Sequence, residues 1–183
     1  MTTDISHEFA FARTGTRAHR IALIDGPNMS NLGHRSTKVY GPNQGTIEGL
    51  RAYVVSYGKS LGVDVETFVS DFEGAILEFV HQSAERVDGY LINPAGLTSE
   101  GFAVPHALLE THKPFIEMHM SNIEANPDTP RGAPVGPLKS WFSPFATGKM
   151  TGMRRYGYIG ALVALTLSLD DPEFLGADEG QQA

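Results

Sequence analysis

The chain has 183 residues, enough for one domain with a full hydrophobic core. Its net charge of -7, without a basic cluster, argues against nucleic acid as the main partner, because phosphate binding needs concentrated Lys and Arg. The lack of cysteine excludes disulfides, thiolate metal sites and thiol catalysis, and the polar first residues carry neither a signal-peptide run nor a membrane span, so the expected setting is cytoplasmic.

Residues 1–18 mix charged, small and aromatic side chains without periodicity and read as a tail or an arm on a neighbouring subunit. Ile21 to Ile24 is a short apolar strand that breaks at Gly26-Pro27-Asn28 into a long polar loop ending at Tyr40-Gly41. From Thr46 to Leu61 the residues Ile47, Leu50, Val54, Tyr57 and Leu61 recur at helical spacing, with Thr46 as cap and Gly62 as stop. Val63 to Val69 is a second strand. Ser70-Asp71 is expected to cap the next helix, with Ile76, Leu77, Phe79 and Val80 on its apolar face.

Asp88 to Pro94 predicts a third strand, and Gly101 to Glu110 a helix with Pro105 in its first turn. Phe115 to His119 is a fourth strand. Asn126 to Ser140 is rich in proline and reads as a loop. A weak strand follows at Gly148 to Thr151. A last helix runs from Arg154 to Leu169, with Tyr158, Leu162, Leu165 and Leu169 on one face, and residues 170–183 form an acidic tail expected to be mobile. Alternating short apolar strands and helices predict a single α/β domain over residues 19–169, a doubly wound parallel sheet of about five strands.

In such a sheet ligands sit beyond the carboxyl ends of the strands. Asp25, Asn93 and His119 end strands at one edge, and the loop holding Arg35 and Tyr40 leaves from the same edge. A phenol is a poor base at neutral pH, but a guanidinium close by stabilises its phenolate. Arg35 and Tyr40 are thus either an activated base or a loop anchor and a solvated charge. His119 is either a general acid, oriented by Glu117 two residues earlier on the same strand face, or a core histidine bonded to backbone. Asn93 is either a group that holds water or a substrate hydroxyl, or a turn residue before proline. Backbone N–H groups around Ser121-Asn122-Ile123 can take a carboxylate. The other histidines show no metal-ligand spacing, and Gly26-Pro27-Asn28 fits no phosphate-loop pattern, so neither a metal nor a nucleotide cofactor is expected.

The ordered set Gly26-Pro27-Asn28, Leu32-Gly33, Arg35, Tyr40-Gly41, Glu73-Gly74, Asp88-Gly89, Ile92-Asn93-Pro94, Glu117-Met-His-Met-Ser-Asn-Ile123, Ser143-Pro144, Ala146-Thr-Gly148, Gly152 and Gly157-Tyr158 resembles type II dehydroquinase, the 3-dehydroquinate dehydratase of the shikimate and quinate pathways. The resemblance spans about Arg20 to Leu169. It implies a flavodoxin-like fold, trimers packed into a homododecamer, a small-molecule substrate, and no cofactor or metal. It also implies roles. Tyr40 matches the base beside the substrate ketone, and Arg35 the residue that activates it. His119 matches the acid that protonates the departing hydroxyl. Asn93 matches the residue that orients substrate and an ordered water. Met120 and Ser121 match the pair that binds the substrate carboxylate. Asn28 and Glu117 match supporting positions.

The chain departs from that family at several places. Ser99 stands where the family usually has His, and His106 where it has an Asp that reaches a neighbouring subunit's site. Asp25 and Ser30 replace asparagines. The family's late arginine falls in the rewritten Asn126 to Trp141 region, where Arg131 or Lys139 is a candidate substitute. The groups for proton transfer and carboxylate binding are therefore retained, while those that recognise ring hydroxyls are changed. Each lost buried hydrogen-bond partner costs about 1–3 kcal/mol. Three readings follow: a dehydratase of 3-dehydroquinate, a paralogue using the same Tyr/Arg/His set for lyase or hydrolase chemistry on another small carboxylate or cyclic ketone, or a non-catalytic member, which the retention of Arg35, Tyr40, Asn93 and His119 disfavours.

Overall fold

The computed structural model describes residues 13, 15–41, 45–124, 139–171 and 173–174, with Lys38 and Val39 described by backbone only. Five strands form one sheet in the order β2-β1-β3-β4-β5, all neighbours parallel: β1 Arg20–Asp25, β2 Asp64–Val69, β3 Gly89–Asn93, β4 Phe115–His119 and β5 Gly148–Thr151. The helices are α1 Thr37–Tyr40, α2 Ile47–Ser60, α3 Glu73–Ser83, α4 Ala103–Glu110 and α5 Arg155–Asp170. This is a flavodoxin-like, doubly wound α/β domain.

Alternation along β1 explains the two layers. Ile21 and Leu23 face one core, with Leu50 and Val54 of α2 and Tyr158, Leu162 and Leu165 of α5. Ala22 and Ile24 face the other, with Ile76 and Val80 of α3, Val104 and Leu108 of α4, and Phe142. Residues Ile21 to Ile24 are all fully buried, because a parallel strand is covered on both faces. Each such Leu, Ile or Val contributes about 1.5–3 kcal/mol through burial.

Several local expectations meet their physical reasons. Thr46 caps α2, its Oγ1 accepting the Gly49 N–H at 3.2 Å, and Gly62 takes φ +70° beyond the helix end. Pro105 lies in the first turn of α4, where its missing N–H has no intrahelical partner to lose. Ser70-Asp71 does not cap α3 as expected: Phe72 is the N-cap residue, without a side-chain capping bond, and the Ser70 Oγ accepts the Phe72 N–H at 3.0 Å rather than an N–H of the first helical turn. Asp71 is spent elsewhere, accepting from the Asn28 N–H at 2.6 Å and from the Ser30 hydroxyl at 2.7 Å. Those two bonds hold its carboxyl below the ordinary range and tie the opening loop to β2.

That opening loop is more ordered than its polar composition implies. It contains a 3-10 turn at Leu32–His34 and the short α1, which ends on Tyr40. A second 3-10 turn, Ala95–Leu97, follows β3. At the other end of the chain α5 continues through Asp170, whose carboxylate is 2% exposed and bonded by Arg13 and His19. The expected loop at Asn126 to Ser140, and most of the two expected tails, lie outside the described residues. Among the described residues no helix is long and apolar enough to cross a membrane.

Candidate active site

The carboxyl edge of the sheet assembles the cleft. Register places Asp25 beside Asn93 at the ends of β1 and β3, and His119 beside Thr151 at the ends of β4 and β5. Two close approaches shape the exit from β1. The Gly26 N–H bonds the Asn93 carbonyl at 2.8 Å, and a Cβ on Gly26 would lie 2.3 Å from the Pro94 oxygen, so no other residue fits there. The chain therefore turns sharply over β3 and carries Met29, Arg35 and Tyr40 back above the strand ends.

Met29, Arg35, Tyr40, Asn93, Ala95, Thr98, His119, Met120, Ser121 and Ile123 line one cleft of about 350 Å³, counting its open mouth. The Arg35 guanidinium carbon lies 4.1 Å from the centre of the Tyr40 ring, over its face. Its Nη1 also approaches the Met29 sulfur at 3.6 Å. Tyr40 itself is 6% exposed, so charge developing on its oxygen would meet the cation with little intervening water. Gly41 follows with φ +94° and ψ 158°, a conformation that only glycine adopts readily, and it ends α1 so that Tyr40 faces the cleft.

On the opposite wall His119 Nε2 meets Glu117 Oε1 at 2.6 Å, and the Ser143 hydroxyl donates to Glu117 Oε2 at 2.5 Å. Glu117 is fully buried. Burial alone pushes its carboxyl up, but the bonds from His119, Ser143 and Ser140 outweigh it, and the group lies below the ordinary carboxylate range. A carboxylate there fixes the ring: Nε2 carries the hydrogen given to Glu117, and Nδ1 is left for a ligand. Ser143 entered the sequence reading only as part of the Ser143-Pro144 pair of the resemblance, with no role attached.

Asn93 is 3% exposed and already half committed. Its Oδ1 accepts the Ala95 N–H at 3.2 Å, and its Nδ2 donates to the Tyr158 hydroxyl at 2.7 Å. Met120 and Ser121 form the end of the cleft, and among the described residues nothing accepts the Ser121 or Ile123 backbone N–H. Arg154, at φ +52°, bonds the Met120 carbonyl through its N–H at 2.8 Å and so locks this corner to the start of α5.

Besides the buried Glu117 behind His119, three candidate residues do not line the cleft. Asn28 is exposed, at φ +72°, and serves through its N–H to Asp71. Ser99 uses its carbonyl to accept the Trp141 indole N–H at 2.7 Å. His106 is exposed on α4, its ring 5.4 Å from that of Phe145. Thr98 lines the cleft instead, its carbonyl accepting the Trp141 N–H at 2.9 Å. The Trp141 ring also packs on Phe102 at 4.5 Å. The segment that closes the proline-rich insertion is thus anchored behind Thr98. Met29, Ala95 and Thr98 had carried no signal in the sequence. Their shared position follows from loop geometry rather than from residue type. Among the described residues no three His, Asp or Glu groups converge as metal ligands do.

The family described as Dehydroquinase class II matches residues 19–166 of this chain. A 3-dehydroquinate dehydratase of Halothermothrix orenii is 33% identical over 147 residues, 80% of this chain and 93% of that protein. A catabolic 3-dehydroquinase of Verticillium alfalfae is 37% identical over 145 residues, 79% of this chain and 91% of that protein. Among solved structures, a type II dehydroquinase from Propionibacterium acnes superposes with a TM-score of 0.72 at 32% identity, covering 83% of this chain and 99% of that one.

Proposed function

The chain belongs to the class II dehydroquinase family, a family of hydro-lyases, and from that membership we propose that it eliminates water from 3-dehydroquinate through an enolate. The observation that carries the reading is the Arg35 guanidinium 4.1 Å from the Tyr40 ring centre, in one cleft with His119 and Asn93.

The proposed steps use the groups of that cleft. Tyr40, as phenolate, takes a proton from the carbon next to the ketone and becomes a phenol. The electron pair moves into the enolate, whose charge Arg35 and the Asn93 N–H oppose. The enolate reforms the carbonyl and expels the hydroxyl, which takes its proton from His119 and leaves as water. The product is a conjugated enone. Glu117 balances the imidazolium before that transfer and orients it throughout. The corner at Met120 and Ser121 holds the substrate carboxylate through the Ser121 and Ile123 N–H groups and the Ser121 hydroxyl. No step calls for a cofactor.

A second reading has one observation in its favour. Neither Ser99 nor His106 reaches the cleft of this chain, and Thr98 and Ile123 occupy its wall. A wall of that kind suits another small carboxylate or cyclic ketone handled by the same Tyr/Arg/His set. The expected trimer-based dodecamer belongs to the same proposal. Exposed Phe102 and Leu109, close to His106 in the chain, supply apolar surface for a subunit contact.

The test is turnover. Purified protein with 3-dehydroquinate should raise the ultraviolet absorbance of the enone, and Tyr40→Phe should abolish the signal. An assembled, folded protein that leaves 3-dehydroquinate unchanged would sink the first reading in favour of the second.

A further inference from the structure

Beneath the cleft runs a buried chain of hydrogen bonds that the steps above do not use. Asn93 Nδ2 donates to the Tyr158 hydroxyl at 2.7 Å, and the Tyr158 hydroxyl donates to Asp25 Oδ1 at 2.6 Å. Asp25 and Tyr158 are fully buried and Asn93 is 3% exposed. The β1–β3 register brings Asp25 next to Asn93, and α5 drops Tyr158 between them.

The direction of these bonds is determined. The Ala95 N–H, a fixed backbone donor, meets Asn93 Oδ1 at 3.2 Å. The oxygen end of the amide is therefore an acceptor turned to the backbone, and the nitrogen end meets Tyr158. A phenol has one hydrogen. Having accepted from Asn93, Tyr158 must give that hydrogen to Asp25, and Asp25 Oδ1 must accept it. The second Nδ2 hydrogen of Asn93 makes no bond of ordinary geometry among the described residues; it lies near enough to Asp25 to favour its charged form, and Asn93 lines the cleft.

We propose that Asp25 and Tyr158 are positioning residues, which hold the Asn93 amide as a hydrogen-bond donor to an acceptor oxygen of the ligand. The identity of that ligand rests on the function proposed above; the polarity of the chain does not. A flipped amide would set an NH2 group against the Ala95 N–H and leave Tyr158 with no donor to accept from.

Asp25 adds a proton to this device. Its Oδ2 has no partner among the described residues. Burial raises its carboxyl to about 6, against the opposing pull of Tyr158 on α5, Arg51 on α2 and Asn93 on β3. Arg35 acts on the same chain from the cleft side, through Tyr158. Ionised Asp25 is the stronger acceptor and grips Tyr158 more firmly; protonated Asp25 still accepts through Oδ1, more weakly. The hold on Asn93 therefore tightens as pH rises through about 6.

The experiment uses the full chain, Tyr158→Phe, Asp25→Leu and Asp25→Asn. Two readouts are taken on both sides of about pH 6: kcat and KM for 3-dehydroquinate, and the side-chain amide NMR signals of Asn93, assigned by their loss in Asn93→Ala. Tyr158→Phe and Asp25→Leu should each lose about tenfold in kcat, the effect of freeing one anchoring bond. Asp25→Asn, which keeps an acceptor oxygen, should recover most of what Asp25→Leu loses. The Asn93 signals should move with Asp25 titration in the parent and stay still in Asp25→Asn. A folded Tyr158→Phe with parental kinetics and parental Asn93 signals would overturn the proposal, as would Asn93 signals in the parent that ignore pH. If the parent does not turn over 3-dehydroquinate, the function reading falls while the NMR titration still decides this one. It also decides if a variant fails to fold.

Discussion

Arg35→Leu is the most direct perturbation of the site, because it removes the charge and keeps an apolar side chain beside Met29. The guanidinium carbon sits 4.1 Å from the Tyr40 ring centre. The phenolic oxygen lies farther out in the ring plane, so the charge-to-oxygen separation is about 5 Å, which at an effective dielectric near 20 gives about 3 kcal/mol of attraction. Arg35 is only half buried, and solvent screening lowers this to about 2 kcal/mol. That energy acts on the Tyr40 phenolate, the form that takes the proton, and not on the neutral substrate. It should therefore appear in kcat, as a fall of about 30-fold, with KM changed little. The assay is enone formation from 3-dehydroquinate at saturation, with the tyrosinate absorbance of the free protein followed in parallel. Arg35→Lys should recover part of the loss, since it returns the charge without the planar stack. An Arg35→Leu enzyme with kcat within about threefold of the parent would refute the activated-phenolate reading, because no 2 kcal/mol effect can hide there.

Glu117→Gln should lower kcat about 10- to 100-fold, the worth of one bond to a charged group, while Ser143→Ala has a smaller effect; both are read in the same assay. Because the folded state holds the Glu117 carboxyl below its ordinary range, its contribution to stability is present above that range and is lost as pH falls through it, so urea unfolding of the parent should weaken on acidification more than that of Glu117→Gln. Asp25 runs the opposite way: its carboxyl is raised to about 6, so its stabilising effect is complete below the ordinary carboxylate range and is lost as pH rises toward 6. Asp25→Asn should therefore unfold at higher urea than the parent well above pH 6, by up to about 3 kcal/mol, and the two should converge in acid. Gly41→Ala should cost about 1–3 kcal/mol, because φ +94° suits glycine and a Cβ would lie 2.6 Å from Arg154 Nη1; thermal unfolding should show a fall of roughly 3–10 °C.

Much of the sheet was legible because its strands are short apolar runs ended by Asn93-Pro94, His119 or Gly26-Pro27, and their parallel pairing follows from alternation with helices. The candidate site was legible for the same reason: strand ends put Asn93 and His119 at one edge. The mismatches have local causes. Ser70-Asp71 looked like a helix cap because capping is the commonest use of such residues, yet Asp71 faces two donors of the opening loop. Nothing local marks that choice. Ser99 and His106 are aligned positions, and alignment says which residue replaces which, not whether its side chain reaches the cleft. Here Thr98 reaches it, and Ser99 gives its carbonyl to Trp141. Tyr158 looked like one more apolar-face residue at helical spacing. Only the depth of α5 against β1 and β3 turns its hydroxyl into a link between Asp25 and Asn93.

Two buried carboxylates stand at this sheet edge, and their surroundings divide their work. Both are fully buried, so desolvation is the largest influence on each and raises each. Glu117 escapes it because each of its oxygens meets a hydrogen-bond partner within 2.6 Å, on Nε2 of His119 and the hydroxyl of Ser143. It stays ionised across the neutral range and is a constant counter-charge for His119, the acid of the proposed mechanism. Asp25 has one close donor and an orphaned oxygen, so its charge is conditional. A group that must balance an imidazolium in every turnover needs the first environment. A group that only grips a neutral amide through a phenol can tolerate the second. An amide side chain at position 25 would keep the grip and lose the condition, so the choice of Asp25 here gives this cleft a pH response on its Asn93 side that the Glu117–His119 side lacks.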